Sequence, residues 1–430
     1  MTQREASPIR GWTVVLAAVS INLILGVLYS WSVMGKALVV QWHWSRADAS
    51  LPFTISAAAF ALMMIFAGRW QDKIGPRYVA MLGGIMLGLG LMASSLATTP
   101  VMMLVTFGLI GGLGIGLAYS ATTPPSIKWF PPAKKGLITG IVVSGVGLAA
   151  VYIAPLTQYL LGVGSIPKTF LILGMGTIVL VSLFSQFLAN PPAGYTPVRA
   201  SVAETTAAPA PAARPNLDWH EMLRTGQFYQ LWLMFVLAAS AGLMIISQVA
   251  LIAKDQAHID AWGFAPVAIL AIFNTSGRVV SGFLSDRIGR ANTMVLAFVL
   301  QALNMFAFSF YTTPSLLIFG AGFTGLCYGT VFTLFPATTA DFYGVRNLGV
   351  NYGFVFTGFG VAGVIGPMLG GKIHDAFGSY HSAFTISAIM LLIGAALAFF
   401  LKTPLIKPTP LPTGPTGGAK EAAGRAVVRK

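Results

Sequence analysis

The stretch AILAIFNTSGRVVSGFLSDRIGR, residues 268–290, opens as an apolar run of helix-spanning length and carries Arg278 well before that run ends. Asn274 precedes the arginine by one helical turn and shares its face. Ser281 extends the same polar stripe, and the next charge, Asp286, falls in what reads as a loop. The helix between Arg278 and Asp286 is about 12 Å long at 1.5 Å per residue, which puts the guanidinium in the middle third of a bilayer. An arginine at that depth costs about 2.5–3.5 kcal/mol on insertion scales. Two plain explanations are a side chain snorkelling to the interface and a structural ion pair. The depth speaks against the first. Against the second, none of the 12 acidic residues lies deep in an apolar run; Asp341, at the end of the tenth run, comes closest to an internal partner. The remaining reading is a counter-ion from outside the chain. The planar fork of a guanidinium suits a carboxylate bound through two hydrogen bonds. Asn274 alone would be interhelical glue; one turn from Arg278, it can donate to a carboxylate oxygen, a hydroxyl or a carbonyl.

The elements that must hold this stripe are set by composition. Hydrophobic residues make up 56% of the 430 and charged residues 9%, with a mean hydropathy of +0.77. So few charges cannot cover a soluble protein of this size. A membrane-spanning helix needs about 20 mostly apolar residues, and twelve such runs are present: 12–34, 51–70, 78–98, 101–123, 136–161, 168–189, 228–253, 264–284, 291–311, 315–339, 347–370 and 380–402. They are continuous rather than alternating, which excludes a β-barrel. The first run follows Arg4 and Arg10 as a signal peptide would, but it is too long for one and is taken as a retained helix.

The net charge of +14 follows topology. With twelve spans, Lys36, Arg46, Lys168, Lys254 and Lys372 fall outside, Arg278 falls within the membrane, and the other lysines and arginines fall inside. That bias places both termini in the cytoplasm and gives no reason to invoke nucleic acid. The one cysteine, Cys327, excludes an internal disulfide.

The segment 189–228 is rich in Pro and Ala and lacks the apolar surface to fold. It divides the chain into a first six-helix unit, 1–189, a cytoplasmic linker, 190–222, and a second unit, 223–402, before a disordered tail, 403–430. A short surface helix is expected near Asp218–Arg224. The halves share a repeat: GRWQDKIGPR, Gly68–Arg77, and GFLSDRIGR, Gly282–Arg290, both of the form G-x-x-x-D-[RK]-I-G followed by Arg, the first after an added Pro. Small Gly68 and Gly282 admit a neighbouring helix, Asp72 and Asp286 can bridge to a helix end, and Arg77 and Arg290 stay at the cytoplasmic face. Aligning the copies sets Arg278 opposite Met64 and Asn274 opposite Phe60, so neither polar residue is required by the fold.

The repeated loop resembles the signature of the major facilitator superfamily, whose two six-helix bundles rock about a site near the bilayer midplane. The resemblance implies that helices one, four, seven and ten line the path. It brings Tyr29, Tyr119, Tyr328 and Phe332 forward as pocket residues, with Phe359 from helix eleven. Within the superfamily, GVLYSWSV, AYSATTPPSIKWFPPAKKGLITG, FNTSGRVVSGFLSDRIGR and LFPATTADFYG resemble the oxalate–formate antiporters and the monocarboxylate transporters. That likeness implies Arg278 as the substrate-binding arginine of helix eight and points to Tyr29 and Tyr119 as pocket residues; the function expected is a secondary transporter of small monocarboxylates such as L-lactate or pyruvate, proton-coupled, and the short loops favour a bacterial inner membrane.

Two departures bear on substrate and coupling. The oxalate–formate antiporter's helix-eleven lysine is matched by Phe359, which favours one carboxylate with a less polar end over a dicarboxylate. The Asp-x-x-x-Arg of animal monocarboxylate transporters is matched by Asn274, which cannot titrate, and the family's helix-one lysine falls at Val33, with Lys36 one turn on. Any proton must then travel on the substrate, on a histidine such as His381, or through water. The other histidines considered, His43, His258 and His374, read as loop residues. An anion exchanger is the alternative. An enzyme would need a nucleophile, metal cluster or carboxylate pair, and the spans supply none. No GxxxxGK[ST] loop indicates an ATP-driven pump, and no cofactor or metal is expected.

Overall fold

The computed structural model describes residues 8–192, 195, 216–258 and 264–404, and among these the regular structure is entirely helical. Twelve helices are long and apolar enough to cross a membrane: α1 Ile9–Gln41, α2 Leu51–Ile74, α3 Pro76–Ser94, α4 Pro100–Lys128, α5 Pro132–Val163, α6 Ile166–Ser185, α7 Gly226–Ala257, α8 Ala265–Ile288, α9 Arg290–Phe308, α10 Pro314–Tyr343, α11 Leu348–Phe377 and α12 His381–Phe399. Each coincides with one of the twelve apolar runs. Most of the linker and the tail from residue 405 onward lie outside the described residues. The expected surface helix is present as Trp219–Leu223. It opens with a capping box in which Asp218 accepts from the Glu221 N–H and Glu221 accepts from the Asp218 N–H.

The signature loops are shorter than their sequence suggests. Gly75 and Gly289 have φ of 95° and 91°, and each alone turns one helix into the next. Only glycine takes that backbone without strain. Asp286 is therefore in the last turn of α8 and not in a loop. His374 is likewise in the last turn of α11, 3.4 Å from Asp255 and stacked on Tyr380.

Helices pack within each half, as α3 does on α6 and α9 on α12, and the two most extensive contacts between the halves are α2 on α11 and α5 on α8. The repeat exchanges these two contacts, since α2 corresponds to α8 and α5 to α11. Both depend on glycine. A Cβ added at Gly68 would meet the Gly349 carbonyl oxygen of α11 at 2.1 Å, and one added at Gly282 would meet that of Gly136 in α5 at 2.3 Å. Large apolar side chains such as Leu62, Phe66, Leu183, Phe306 and Phe319 stand exposed on the outside of the helices. Lipid suits that surface and water does not. The side on which α2 and α8 end, and on which α6 leads toward α7, is called the linker face below.

Gly140→Val tests the α5–α8 contact, because a Cβ there would lie 2.2 Å from the Arg278 carbonyl oxygen. The expected loss is about 1–3 kcal/mol, seen as a lower melting temperature of the purified protein. Gly162→Ala, where an added Cβ meets nothing within 4 Å, is expected to leave the melting temperature unchanged or higher.

Candidate functional site

The depth of the polar stripe is fixed by backbone contact on two sides of α8. Gly140 of α5 abuts the Arg278 carbonyl, and a Cβ at Gly329 of α10 would sit 2.2 Å from the Asn274 carbonyl oxygen. Thr333 of α10 pins the level by donating its hydroxyl to the Arg278 carbonyl at 2.8 Å. Ser281 does not extend the stripe: its hydroxyl turns back to that same carbonyl at 3.3 Å. It satisfies its own helix, as serines in membrane helices do.

Arg278 is 1% exposed. Its Nε donates to Asn274 Oδ1 at 3.2 Å, its Nη1 donates to the Val143 carbonyl of α5 at 2.5 Å, and its Cζ lies 4.5 Å from the centroid of the Phe332 ring. Among the described residues no carboxylate forms an ion pair with it. Asp341 is engaged at the linker face, with Lys135 at 3.1 Å and Arg290 at 2.9 Å. The charge thus meets a side-chain amide, a carbonyl and a ring face, all neutral. With Oδ1 of Asn274 turned to the arginine, its amide protons remain available to another acceptor.

Aromatic side chains from both halves close around this cation. Phe332 packs edge-on to Tyr328 at 5.3 Å and to Phe359 at 5.3 Å. Phe359 reaches Phe356 at 5.1 Å and Phe60 of α2 at 6.5 Å. Phe60 in turn packs on Tyr119 at 5.3 Å. Tyr119, Tyr328 and Tyr352 all lie within electrostatic reach of Arg278, and Tyr29, in the 3-10 stretch Gly26–Ser30 of α1, lies within reach of Tyr119 and Tyr328. The buried hydroxyls of Tyr119 and Tyr352 approach each other without closing a hydrogen bond, and neither has a partner. An unsatisfied buried hydroxyl costs roughly 1–3 kcal/mol.

Arg278, Asn274, Tyr119, Tyr29, Tyr328, Phe332 and Phe359 are thus gathered in one place. Sequence reasoning missed Phe60, Tyr352, Phe356 and the Val143 carbonyl. Tyr352, Phe356 and Phe359 are spaced as one helical face, a signal available beforehand. Phe60 enters the sequence reading only as the residue opposite Asn274, although a position related by the repeat faces the same centre from the other half. Nothing in the residue type of Val143 marks its carbonyl.

The signature residues form two latches on the linker face. Asp286 accepts from the backbone N–H groups of Gly136 at 2.9 Å and Leu137 at 2.8 Å, at the start of α5, and from Arg290 at 2.6 Å. Asp72 accepts from the N–H of Val350, in the first turn of α11, at 3.2 Å. Each aspartate therefore faces the positive N-terminal end of a helix in the opposite half. Arg77 reaches Gln186, the residue just after α6, instead of an aspartate.

The chain matches the Major Facilitator Superfamily profile over residues 12–314 and 267–429. It is 29% identical over 394 residues to the oxalate:formate antiporter of Oxalobacter formigenes, covering 91% of each chain. It is 27% identical over 400 residues to monocarboxylate transporter 13 of Rattus norvegicus, covering 91% of this chain and 89% of the other. The crystal structure of the Escherichia coli fucose:proton symporter FucP is similar in fold, with a TM-score of 0.67 at 13% sequence identity over 91% of this chain and 98% of that one. These relatives are transporters and not enzymes. With twelve spans, two latches related by the repeat and a buried cation between the halves, the chain belongs to the major facilitator superfamily.

Proposed function

We propose that the protein carries a small monocarboxylate such as L-lactate or pyruvate across the membrane by alternating access, with Arg278 binding the carboxylate. The observation that carries this reading is a buried guanidinium whose partners are all neutral. A carboxylate would supply the missing charge through a two-point contact. The amide of Asn274 and the hydroxyls of Tyr119, Tyr328 and Tyr29 would take the polar end, and Phe332 and Phe359 the apolar one. Similarity to proteins named as a monocarboxylate transporter and an oxalate:formate antiporter supports the substrate class. Phe359 favours one carboxylate over two, because its surroundings are rings: Phe60, Phe235, Phe332 and Phe356. A second carboxylate placed there would be desolvated without a partner.

The halves 1–189 and 223–402 are the rocking units, and the linker face is cytoplasmic by its positive charge, as in a bacterial inner membrane. Transport is proton-coupled on this reading. Asn274 has no titratable proton, so the proton enters with the substrate or at another group. The second reading, an exchanger of the oxalate–formate kind, draws on the 29% identity to that antiporter.

Uptake of labelled L-lactate into proteoliposomes separates the two. Symport is expected to give uptake into empty vesicles that rises with an inward proton gradient. Uptake only into lactate- or oxalate-loaded vesicles would establish exchange instead.

Arg278→Ala is expected to lower lactate uptake at least about a hundredfold, the cost of removing the charged partner of a buried carboxylate, while the purified protein stays monodisperse. Aggregation of that variant, with transport retained in Arg278→Lys, would mark the arginine as structural. Phe359→Lys is expected to shift preference from lactate toward oxalate in a competition assay; unchanged selectivity would remove Phe359 from the site.

A further inference from the structure

Two tyrosines face each other where the halves meet, and the packing leaves both hydroxyls unused. Tyr119 lies in α4 of the first half and Tyr352 in α11 of the second. Both side chains are buried, and neither hydroxyl oxygen has a hydrogen-bond partner. They approach each other without bonding. The surroundings offer no substitute acceptor. Phe356 packs against both rings, 5.8 Å from Tyr119 and 5.6 Å from Tyr352, and Phe60 packs edge-on to Tyr119. An O–H directed at an aromatic face makes only a weak bond.

Packing calls for neither oxygen. Phenylalanine fills the same space less one atom, and neighbouring Phe60 and Phe356 use it. The repeat makes the same point. Gly136 and Gly349 hold equivalent places, each against the signature glycine of the opposite half, so Tyr352 corresponds to Thr139. The Thr139 hydroxyl turns back to the Lys135 carbonyl of its own helix at 2.7 Å. The scaffold can therefore satisfy a hydroxyl at that place. Tyr352 instead carries its oxygen past the backbone and toward the centre.

Both hydroxyls lie within electrostatic reach of Arg278. A phenol can donate or accept. One oxygen atom placed between the two would satisfy both. A keto oxygen would accept from each, and a hydroxyl would accept from one and donate to the other. With the guanidinium so near, that oxygen and a carboxylate fit on one small molecule.

We propose that Tyr352, together with Tyr119, clamps the oxygen on the carbon next to the substrate carboxylate, so that the site selects 2-hydroxy and 2-oxo monocarboxylates over unsubstituted acids such as propionate. The inference rests on Arg278 holding the carboxylate and adds the group that reads the adjacent carbon. The clamped oxygen has one partner in each half. A loaded site thus ties α4 to α11, and an acid that lacks the oxygen leaves the tie unmade.

The test is binding of L-lactate, pyruvate and propionate to the purified full-length protein, measured by isothermal titration calorimetry. The wild type is expected to hold lactate and pyruvate at least about tenfold more tightly than propionate. Tyr352→Phe is expected to weaken lactate and pyruvate about tenfold and to change propionate less than about twofold. The double variant Tyr119→Phe/Tyr352→Phe is expected to bind all three acids within about threefold of one another. Without ligand, Tyr352→Phe is expected to melt at the wild-type temperature or above it, since the change deletes an unsatisfied buried oxygen. A wild type that holds propionate as tightly as lactate, or a Tyr352→Phe variant that melts lower and loses all three acids in equal measure, overturns the proposal and leaves the carboxylate reading of Arg278 standing. A wild type that binds none of the three overturns both.

Discussion

The structure depends on one unbalanced charge. Arg278 is buried between two helix bundles, where a cation costs about 2.5–3.5 kcal/mol by insertion measurements. Its nearest partners carry no net charge: the Asn274 amide, the Val143 carbonyl and the Phe332 ring. A fold under selection for stability alone would put a hydrophobic residue here, and the repeat shows that it can. The equivalent position in the first half is Met64, buried in the core. The cost is accepted in one half only, so the scaffold does not require it.

Keeping that cation in place requires close backbones. α8 is held between α5 and α10 at points where Gly140 and Gly329 leave no room for a methyl group. In lipid there is no hydrophobic drive to bring helices together, so dispersion contacts and hydrogen bonds at short range must do it. The Thr333 hydroxyl on the Arg278 carbonyl adds a fixed height along the bundle. The same construction at Gly68 and Gly282 joins the halves through α2–α11 and α5–α8, while the aspartates of the two latches meet helix N-termini. The interfaces that must slide are therefore smooth and rich in glycine, and the contacts that must break are few and polar.

Much of this was legible in the sequence, for identifiable reasons. Continuous apolar runs of spanning length leave one structural solution, so all twelve helices were found. The repeated loop located the turns after α2 and α8, because a turn needing positive φ fixes its glycine. Arg278 and Asn274 stood out because polar residues in lipid are rare. What stayed hidden was partner choice across helices. Asp286 read as a loop residue because one glycine, Gly289, makes the entire turn. Asp341 read as the arginine's nearest acid, and it is held by Lys135 and Arg290 instead. Ser281 read as part of the stripe, since spacing along one helix does not reveal that a hydroxyl folds back on its own backbone. Phe60 and Phe356 were passed over because phenylalanine in a membrane span is unremarkable until its neighbours in space are known.

The ring beneath Arg278 bears on a matter of traffic. A carrier that moves cargo in one direction has to make the return stroke unloaded, and a bare cation crossing the middle of a bilayer would stall it. A desolvated cation on an aromatic face gains about 2 kcal/mol, and a charged donor on a carbonyl about 1.5–3 kcal/mol. Together the Phe332 ring and the Val143 carbonyl offset a cost of the same size. On the proposed reading of Arg278, these neutral contacts are what the cation keeps on the return stroke.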